Sequence, residues 1–485
     1  IDLQDGSASK VDGTDALSDV ENATGTEFAD TITGSSVANV LRGGAGNDVI
    51  NAGGGNDTVA GGIGDDTLRG GAGNDTVDYS NASGGQTVDL NSGTATGADG
   101  TDDIAGFENV AGTAFDDTIT GNDANNTLIG GAGNDTLNGG AGNDVFVGEA
   151  GNDTYVGGAG NDIVDFSDAQ SGMNINLADN LAVGADTGTD TITGVEQIVA
   201  TDFADTITGS ANADTISAGD GNDVISGGAG NDTILGGAGN DLIDGGAGND
   251  VIDGGAGEDT VSFNGASGAV NVDLQTGSVD GAESDQISNI ENVTGTSFAD
   301  KLSGDAGRNT ITGDGNDFIT ASDTSNAINA GNGDNTVLGA GGDDKLTTGS
   351  GADYVSGGAG NDVIDTGTGN DTIEGGAGDD AIKAGSGNDY VSGGEGRDVI
   401  DGGDGADTLD GGAGNDTITA GQGDDIVLGG DGNDVINAGA GNDTVEGGIG
   451  NDTITAGTGD DVVLGGDGND VLVGGDGADI LDGGA

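Results

Sequence analysis

The chain has no cysteine, histidine, proline or tryptophan in 485 residues. Without cysteine there can be no disulfide, thiolate metal site or cysteine nucleophile. Without histidine the commonest general base and the usual zinc ligand are missing. The absence of proline suits a backbone whose N–H groups are needed in unbroken strand ladders. Positive charge is almost absent as well. Eight Lys and Arg stand against 87 Asp and Glu, a formal net charge of −79. That balance disfavours nucleic acid as a partner. Aromatic residues are few, nine Phe and four Tyr. No apolar run approaches the ~20 residues of a membrane span, so no membrane insertion is expected. No secretory signal is visible. The chain opens at Ile1 and stops at "DILDGGA", inside a repeat, and reads as a piece of a longer protein.

Charge of this size with so few aromatics describes a disordered chain. The 109 glycines add backbone entropy that folding must overcome. Self-repulsion opposes any compact state. Either the chain is unfolded, or something outside it supplies positive charge and order.

What the sequence does contain is a ruler nine residues long. The segment "GGAGNDTLNGGAGNDVFVGEAGNDTY", 130 to 155, states one pattern three times. Its acidic marker ends each GGxGxD. In a first block the markers are Asp30, Asn39, Asp48, Asp57, Asp66 and Asp75. A second block has Asp117, Asn126, Asp135, Asp144, Asp153 and Asp162. A third has Asp205, Asp214, Asp223, Asp232, Asp241, Asp250 and Asp259. The fourth opens at Asp300 and Asn309 and drops one residue before Asp317. It then keeps step through Asn326, Asn335, Asp344, Asp353, Asp362, Asp371, Asp380, Asp389, Asp398, Asp407, Asp416, Asp425, Asp434, Asp443, Asp452, Asp461, Asp470 and Asp479.

Two residues after each marker stands an apolar side chain, such as Ile32, Leu41, Ile50 and Val59. Such a triplet predicts a short strand with one inward residue. The six residues between triplets form a turn in which glycine permits positive φ and close backbone approach. Eighteen residues then make two strands and two turns. The predicted fold is all-β, a parallel β-roll or β-helix solenoid with eighteen residues per coil.

A longer period overlies the first. "VDL" or its equivalent ends at Leu3, Leu90, Leu177 and Leu274, followed by Glu21-Asn22, Glu108-Asn109, Glu196-Gln197 and Glu291-Asn292. Phe28, Phe115, Phe203 and Phe298 come next, and Tyr79, Phe166 and Phe263 mark the same junctions. The expected organisation is irregular β coils over 1–29, a block over 30–80, spacer coils over 81–116 and a block over 117–167. Spacer coils follow over 168–204, a block over 205–264, spacer coils over 265–299 and a long block over 300–485, with a defect near 309–335. The spacers are expected to be wider coils with small apolar cores, rather than flexible hinges.

Glycine-rich turns expose carbonyls, and aspartate adds a hard anionic oxygen. An all-oxygen ligand set of moderate rigidity suits Ca²⁺, whereas Mg²⁺ keeps its waters. Turns eighteen residues apart fall on one edge of a stacked solenoid, a strand spacing of ~4.8 Å apart. A cation between them would supply the missing positive charge, in both rows of turns.

The pattern GGxGxDxUx resembles the RTX (repeats-in-toxin) calcium-binding nonapeptides, whose fold is the parallel β-roll. The resemblance implies that one ion takes the carbonyls of Gly44 and Gly46 and the carboxylate of Asp48. From the next turn it takes the carbonyls of Gly61 and Ile63 and the carboxylate of Asp66. Carried along the chain, it makes ligands of Asp57 and Asp75, then Asp135, Asp144, Asp153 and Asp162, then Asp214, Asp223, Asp232, Asp241, Asp250 and Asp259. In the long block the same holds for every marker from Asp344 to Asp470. Interior aspartates are shared by two ions, and the total is on the order of thirty Ca²⁺, which offsets most of the negative charge. The asparagine markers Asn39, Asn126, Asn309, Asn326 and Asn335 carry no charge and are expected to give weak or empty sites.

The resemblance further implies export unfolded from a Gram-negative bacterium by a one-step (type I) system and folding in external calcium. Calcium modules of the extracellular kind bind at ~10⁻⁴–10⁻³ M. The leading functional expectation is a calcium-stabilised extracellular structural segment: an adhesin stalk, a surface-layer body or a filament at the cell surface. One alternative is the calcium-responsive domain of a secreted enzyme or toxin whose catalytic part lies outside the chain. A minor one is a surface for carbohydrate or ice built from Thr58, Thr67, Thr76, Thr118 and Thr136, against which stands the ordinary β-propensity of Thr. Copies of the chain itself and anionic polysaccharide are conceivable partners. Catalysis is not expected, because the regular carboxylates are already explained as ligands.

Overall fold

The computed structural model describes residues 1–10, 13–281 and 284–485. All regular secondary structure among the described residues is β-strand. The chain divides into two compact units, Ile1–Asp241 and Leu242–Ala485. The division falls inside the third block rather than at a spacer.

Each unit is a parallel β-solenoid with eighteen residues per coil, as the ruler of nine predicts. In the first unit Val49–Gly54 stacks on Thr67–Ala72 with Ile50 opposite Leu68. Val40–Ala45 stacks on Thr58–Ile63 with Leu41 opposite Val59. In the second unit Thr417–Gln422 stacks on Val435–Ala440 with Ile418 opposite Ile436. Successive strands alternate between two sheets, so every inward residue meets its own equivalents above and below. Ile32, Leu41, Ile50, Val59, Leu68 and Val77 are all fully buried. This column of β-branched and Leu side chains is the core, one residue wide per strand. Burying each contributes roughly 1.5–3 kcal/mol.

The turns need glycine for conformational reasons at their second and fourth places. Gly44 and Gly46 both have φ of 107°, a region costly for other residues. The missing residue before Asp317 is absorbed in a turn. The marker hydrogen bond spans seventeen residues from Asp300 to Asp317, and the strands Thr310–Thr312, Phe318–Thr320 and Ala327–Asn329 stay in the ladder.

The spacers differ from the wider coils expected. Residues 81–116 hold an antiparallel meander of Gln86–Asp89, Thr94–Gly97 and Gly100–Ala105. Its last strand pairs in parallel with Thr67–Arg69 and its first with Thr118–Thr120. One sheet thus takes three strands across the spacer. The other takes a single strand, Asn109–Ala111, between Thr76–Asp78 and Thr127–Ile129. The same arrangement recurs with Met173–Asn176, Leu181–Gly184 and Gly188–Thr193, and in the second unit with Val270–Asp273, Ser278–Gly281 and Gln286–Ser288. Near the start, Ser7–Lys10 and Gly13–Ala16 form the matching antiparallel pair. A period of nine cannot reveal such a meander, because its strands pair with one another at separations of fewer than eighteen residues.

Tyr79, Phe166 and Phe263 are buried at these junctions, and Tyr155 packs against Phe146 in a tilted pair and against Phe166 edge to face, with ring centroids 6.1 and 6.0 Å apart. Phe28, Phe115, Phe203 and Phe298 are exposed, Phe28 by 76%. The apolar cores of the spacers therefore rest on the first set of aromatics and not on the second.

Candidate metal centre

The marker carboxylates form two files along the turn edges of each unit. Most are almost completely buried, with Asp48, Asp135, Asp362 and Asp416 each no more than 1% exposed. The cause is local: the strand puts the next apolar residue inward, and the turn folds the marker under the coil that follows. One oxygen of each has a fixed partner. The Asp48 N–H donates to Asp66 Oδ1 at 2.8 Å, and the Asp398 N–H to Asp416 Oδ1 at 2.9 Å. Within the regular coils this bond recurs between markers eighteen residues apart.

In many of them the other oxygen has none. Oδ2 is buried without a hydrogen-bond partner in Asp48, Asp57, Asp66 and Asp75, in Asp135, Asp144 and Asp162, and in Asp223. The same is true of Asp317 and of every aspartate marker from Asp344 to Asp470. Asp232, Asp241, Asp250 and Asp259 are equally buried. A buried carboxylate oxygen without a donor costs at least 1–3 kcal/mol, and charge raises that figure. Dozens in one chain demand a common partner.

The surroundings say what kind. The ladder passes from Arg42 opposite Ala60 to Gly44 opposite Gly62 without pairing Gly43 with Gly61. A methyl group on Gly43 would collide with both Asp48 Oδ2 and the Gly61 carbonyl oxygen. Two lone-pair oxygens, one from each coil, thus converge beside an α-carbon that must lack a side chain. Oxygen-only donors from carboxylate and carbonyl groups fit a hard divalent cation. Among the described residues no three acidic side chains converge, so backbone carbonyls must complete the ligand shell. Gly46 N–H donates to the Ile63 carbonyl at 2.7 Å, and Gly44 lies opposite Gly62 in the ladder. Gly44, Gly46, Gly61, Ile63, Asp48 and Asp66 therefore share one edge.

Burial pushes these carboxyls upward and their neighbours push further. Asp380 rises to about 7, first from desolvation and then from the charges of Asp362, Asp398 and Asp379. Asp135 also rises to about 7, by desolvation and the charges of Asp153, Asp117 and Asp116. An ordered row of anions that resists ionisation is a row short of positive charge.

The first registers of each block are built otherwise. Asp117 Oδ2 accepts the Thr113 N–H at 2.5 Å, and its Oδ1 accepts the Thr113 hydroxyl at 3.1 Å and the Gln86 N–H. Thr26, Thr201 and Thr296 treat Asp30, Asp205 and Asp300 in the same way. Ser210 gives its N–H and hydroxyl to Asp214, and the Tyr155 hydroxyl donates to Asp153 Oδ2 at 3.5 Å, which sets both apart from markers such as Asp144 and Asp223. The asparagine markers are sealed as well. Asn39 donates to the Glu21 carbonyl at 2.6 Å and accepts the Ser35 N–H at 2.7 Å. Asn126 and Asn309 do the same with Glu108 and Glu291. These sites meet their needs from protein alone.

Sequence reasoning missed the residues that carry the files across the spacers. Asp66 N–H donates to Asp102 Oδ1 and Asp75 N–H to Glu108 Oε2, both at 2.9 Å. Asp190 and Glu196 serve Asp153 and Asp162, and Asp285 and Glu291 serve Asp250 and Asp259. The recurring Glu-Asn element was the signal for the glutamates, and the aspartates stand six residues before it, at Asp102, Asp190 and Asp285. Asp317 was missed because it follows the slipped residue.

A model of the RTX calcium-binding nonapeptide repeat matches residues 24–81, 102–164, 199–261 and 294–485. The stretches between these matches hold most of each meander. Comparison with curated proteins returned no match. RTX repeats bind Ca²⁺, form a non-catalytic β-roll and are typical of secreted proteins. Among the described residues no helix is long and apolar enough to cross a membrane. With repeats over most of its length and turn edges lined by donor-free carboxylate oxygens, the chain belongs to the RTX calcium-binding nonapeptide-repeat family.

Proposed function

We propose that this chain is a calcium-stabilised structural segment of an extracellular protein, unfolded at low calcium and folded once outside the cell. The observation that carries the reading is the file of buried Oδ2 atoms without donors. The interior markers from Asp48 to Asp75, Asp135 to Asp162, Asp223 to Asp259, Asp317, and Asp344 to Asp470 would hold the ions, with turn carbonyls such as those of Gly44, Gly46, Gly61 and Ile63 completing each shell. A bound divalent cation supplies positive charge where two coils meet. The protein's part is to fix carboxylates and carbonyls in register and keep water away.

With few aromatics and a core one residue wide, burial alone supports little of the ordering entropy of 485 residues. Folding and ion binding then become one event. Length and stiffness would be the product, as a stalk, surface layer or filament requires, at the surface of a Gram-negative cell. The test is circular dichroism during calcium titration of the full chain. Cooperative gain of β signal with Ca²⁺, and none with Mg²⁺ at equal concentration, is expected. A full β spectrum in excess chelator at neutral pH overturns the reading.

A further inference from the structure

In the second unit the two files of the long block are not alike. One file runs through Asp362, Asp380, Asp398, Asp416, Asp434 and Asp452, and the residue five places before each marker is glycine. A methyl group on Gly357, Gly375, Gly393, Gly411, Gly429 or Gly447 would lie within 2.3–2.7 Å of the marker Oδ2, where no side chain fits. The second file runs through Asp353, Asp371, Asp389, Asp407, Asp425, Asp443 and Asp461. There the equivalent residues are Thr348, Thr366 and Ala384, then Ala420, Ala438 and Ala456, with Gly402 between. The alanines are fully buried, so their methyls occupy the space that the first file leaves open to oxygen. Gly402 shows how tight that space is even here, since a methyl would come within 2.8 Å of Asp407 Oδ2. The threonines go further. Thr348 donates its hydroxyl to the Thr366 carbonyl at 3.0 Å, and Thr366 to the Ala384 carbonyl at 2.9 Å. These are the carbonyls that converge with Oδ2 in the glycine file.

We propose that the long block carries two classes of calcium site: a tight file behind glycine and a weaker, faster-exchanging file crowded by alanine methyls and, at its start, by threonine hydroxyls. This rests on the calcium reading above and adds to it a residue that sets affinity. Both files keep a buried donor-free Oδ2, so both bind. What separates them is the room for the cation beside that oxygen, and a methyl of crowding in a packed interior is worth on the order of tenfold in binding. An ion between two coils is then held firmly on one edge and loosely on the other. A fall in external calcium would strip the alanine file first, leaving the coils tied along a single edge.

The test is stopped-flow release of Ca²⁺ from the loaded full chain into excess chelator. Two phases are expected for the parent, separated by about tenfold in rate. In A420G/A438G/A456G, amplitude should move from the fast phase into the slow one. In G411A/G429A it should move the other way. If the second variant does not fold, the first decides alone. A release profile of A420G/A438G/A456G that superimposes on the parent's overturns the inference while leaving calcium binding intact. A parent that releases no calcium, because it bound none, overturns the calcium reading itself and this inference with it.

Discussion

Asp117 and Asp135 stand eighteen residues apart in one file and differ in a single respect. Both are buried, and the Asp117 N–H donates to Asp135 Oδ1 at 2.7 Å. Four residues before Asp117 stands Thr113, which gives it an N–H and a hydroxyl. Four residues before Asp135 stands Gly131 with φ of 95°, and Asp135 Oδ2 is left without a donor. One carboxylate is completed by protein and the other keeps a buried oxygen without a donor. The residue at the second place of the turn decides which. The capped registers come first in every block, so each file of donor-free oxygens begins with a carboxylate that protein donors complete, much as a cap completes a helix end.

The largest expected effect is removal of calcium from the whole chain. Excess chelator at neutral pH should abolish the β signal of the interior registers, since their Oδ2 rows have no other partner. Hydrogen exchange is expected to accelerate at Asp135 to Asp162 before it does at Asp117. Equal loss of protection at both places would break the contrast.

Acid should partly substitute for the cation. The folded, calcium-free carboxyls lie above the ordinary value near 4: Asp135, Asp223 and Asp380 at about 7, Asp398 and Asp434 at about 6, in each case chiefly by burial. A raised folded-state value favours the protonated fold. That contribution is fully present below the unfolded value and is lost as pH rises through 6 to 7. The chelated chain should therefore gain β structure as pH falls from 7 towards 4. With calcium present the direction reverses, because protons compete for the ligands and the calcium midpoint moves to higher concentration. A chelated chain with the same spectrum at pH 4 and pH 7 would contradict this.

A smaller effect follows from single charges. Asp135→Asn should remove the charge shared by two ions, lower the bound calcium measured by equilibrium dialysis and raise the midpoint of folding. Asp117→Asn should leave the calcium count unchanged. Matching losses from the two variants would mean that Thr113 does not replace an ion. Least of all should be Thr113→Val. It removes one hydroxyl donor from a buried carboxylate, at about 1–3 kcal/mol, seen as a lower melting temperature in saturating calcium with the same calcium stoichiometry.

Much of the repeating architecture was legible, and the reason is periodicity. Each coil contacts chiefly its own copies above and below, so a residue's neighbours are those eighteen places away. Ile50 against Leu68 and Asp48 under Asp66 could be paired by counting. The spacers were not legible to the same degree. Thr94–Gly97 pairs on both sides with antiparallel strands, and no repeat within the chain tells which of three short polar strands lies in the middle. The roles of Asp102, Asp190 and Asp285 depend on that folding back. The seals on Asn39 and Asp214 likewise depend on where Ser35 and Ser210 point, which is a matter of turn conformation rather than composition.

The amino-acid sequence by itself determined the coil length, the inward column, the acidic files and the need for outside charge, because each follows from spacing or from counting ionisable groups. Only the tertiary structure decided which carboxylates the protein completes and which it leaves open. That choice turns on a single donor or methyl placed within bonding distance of a buried oxygen, and such distances exist only once the coils are stacked.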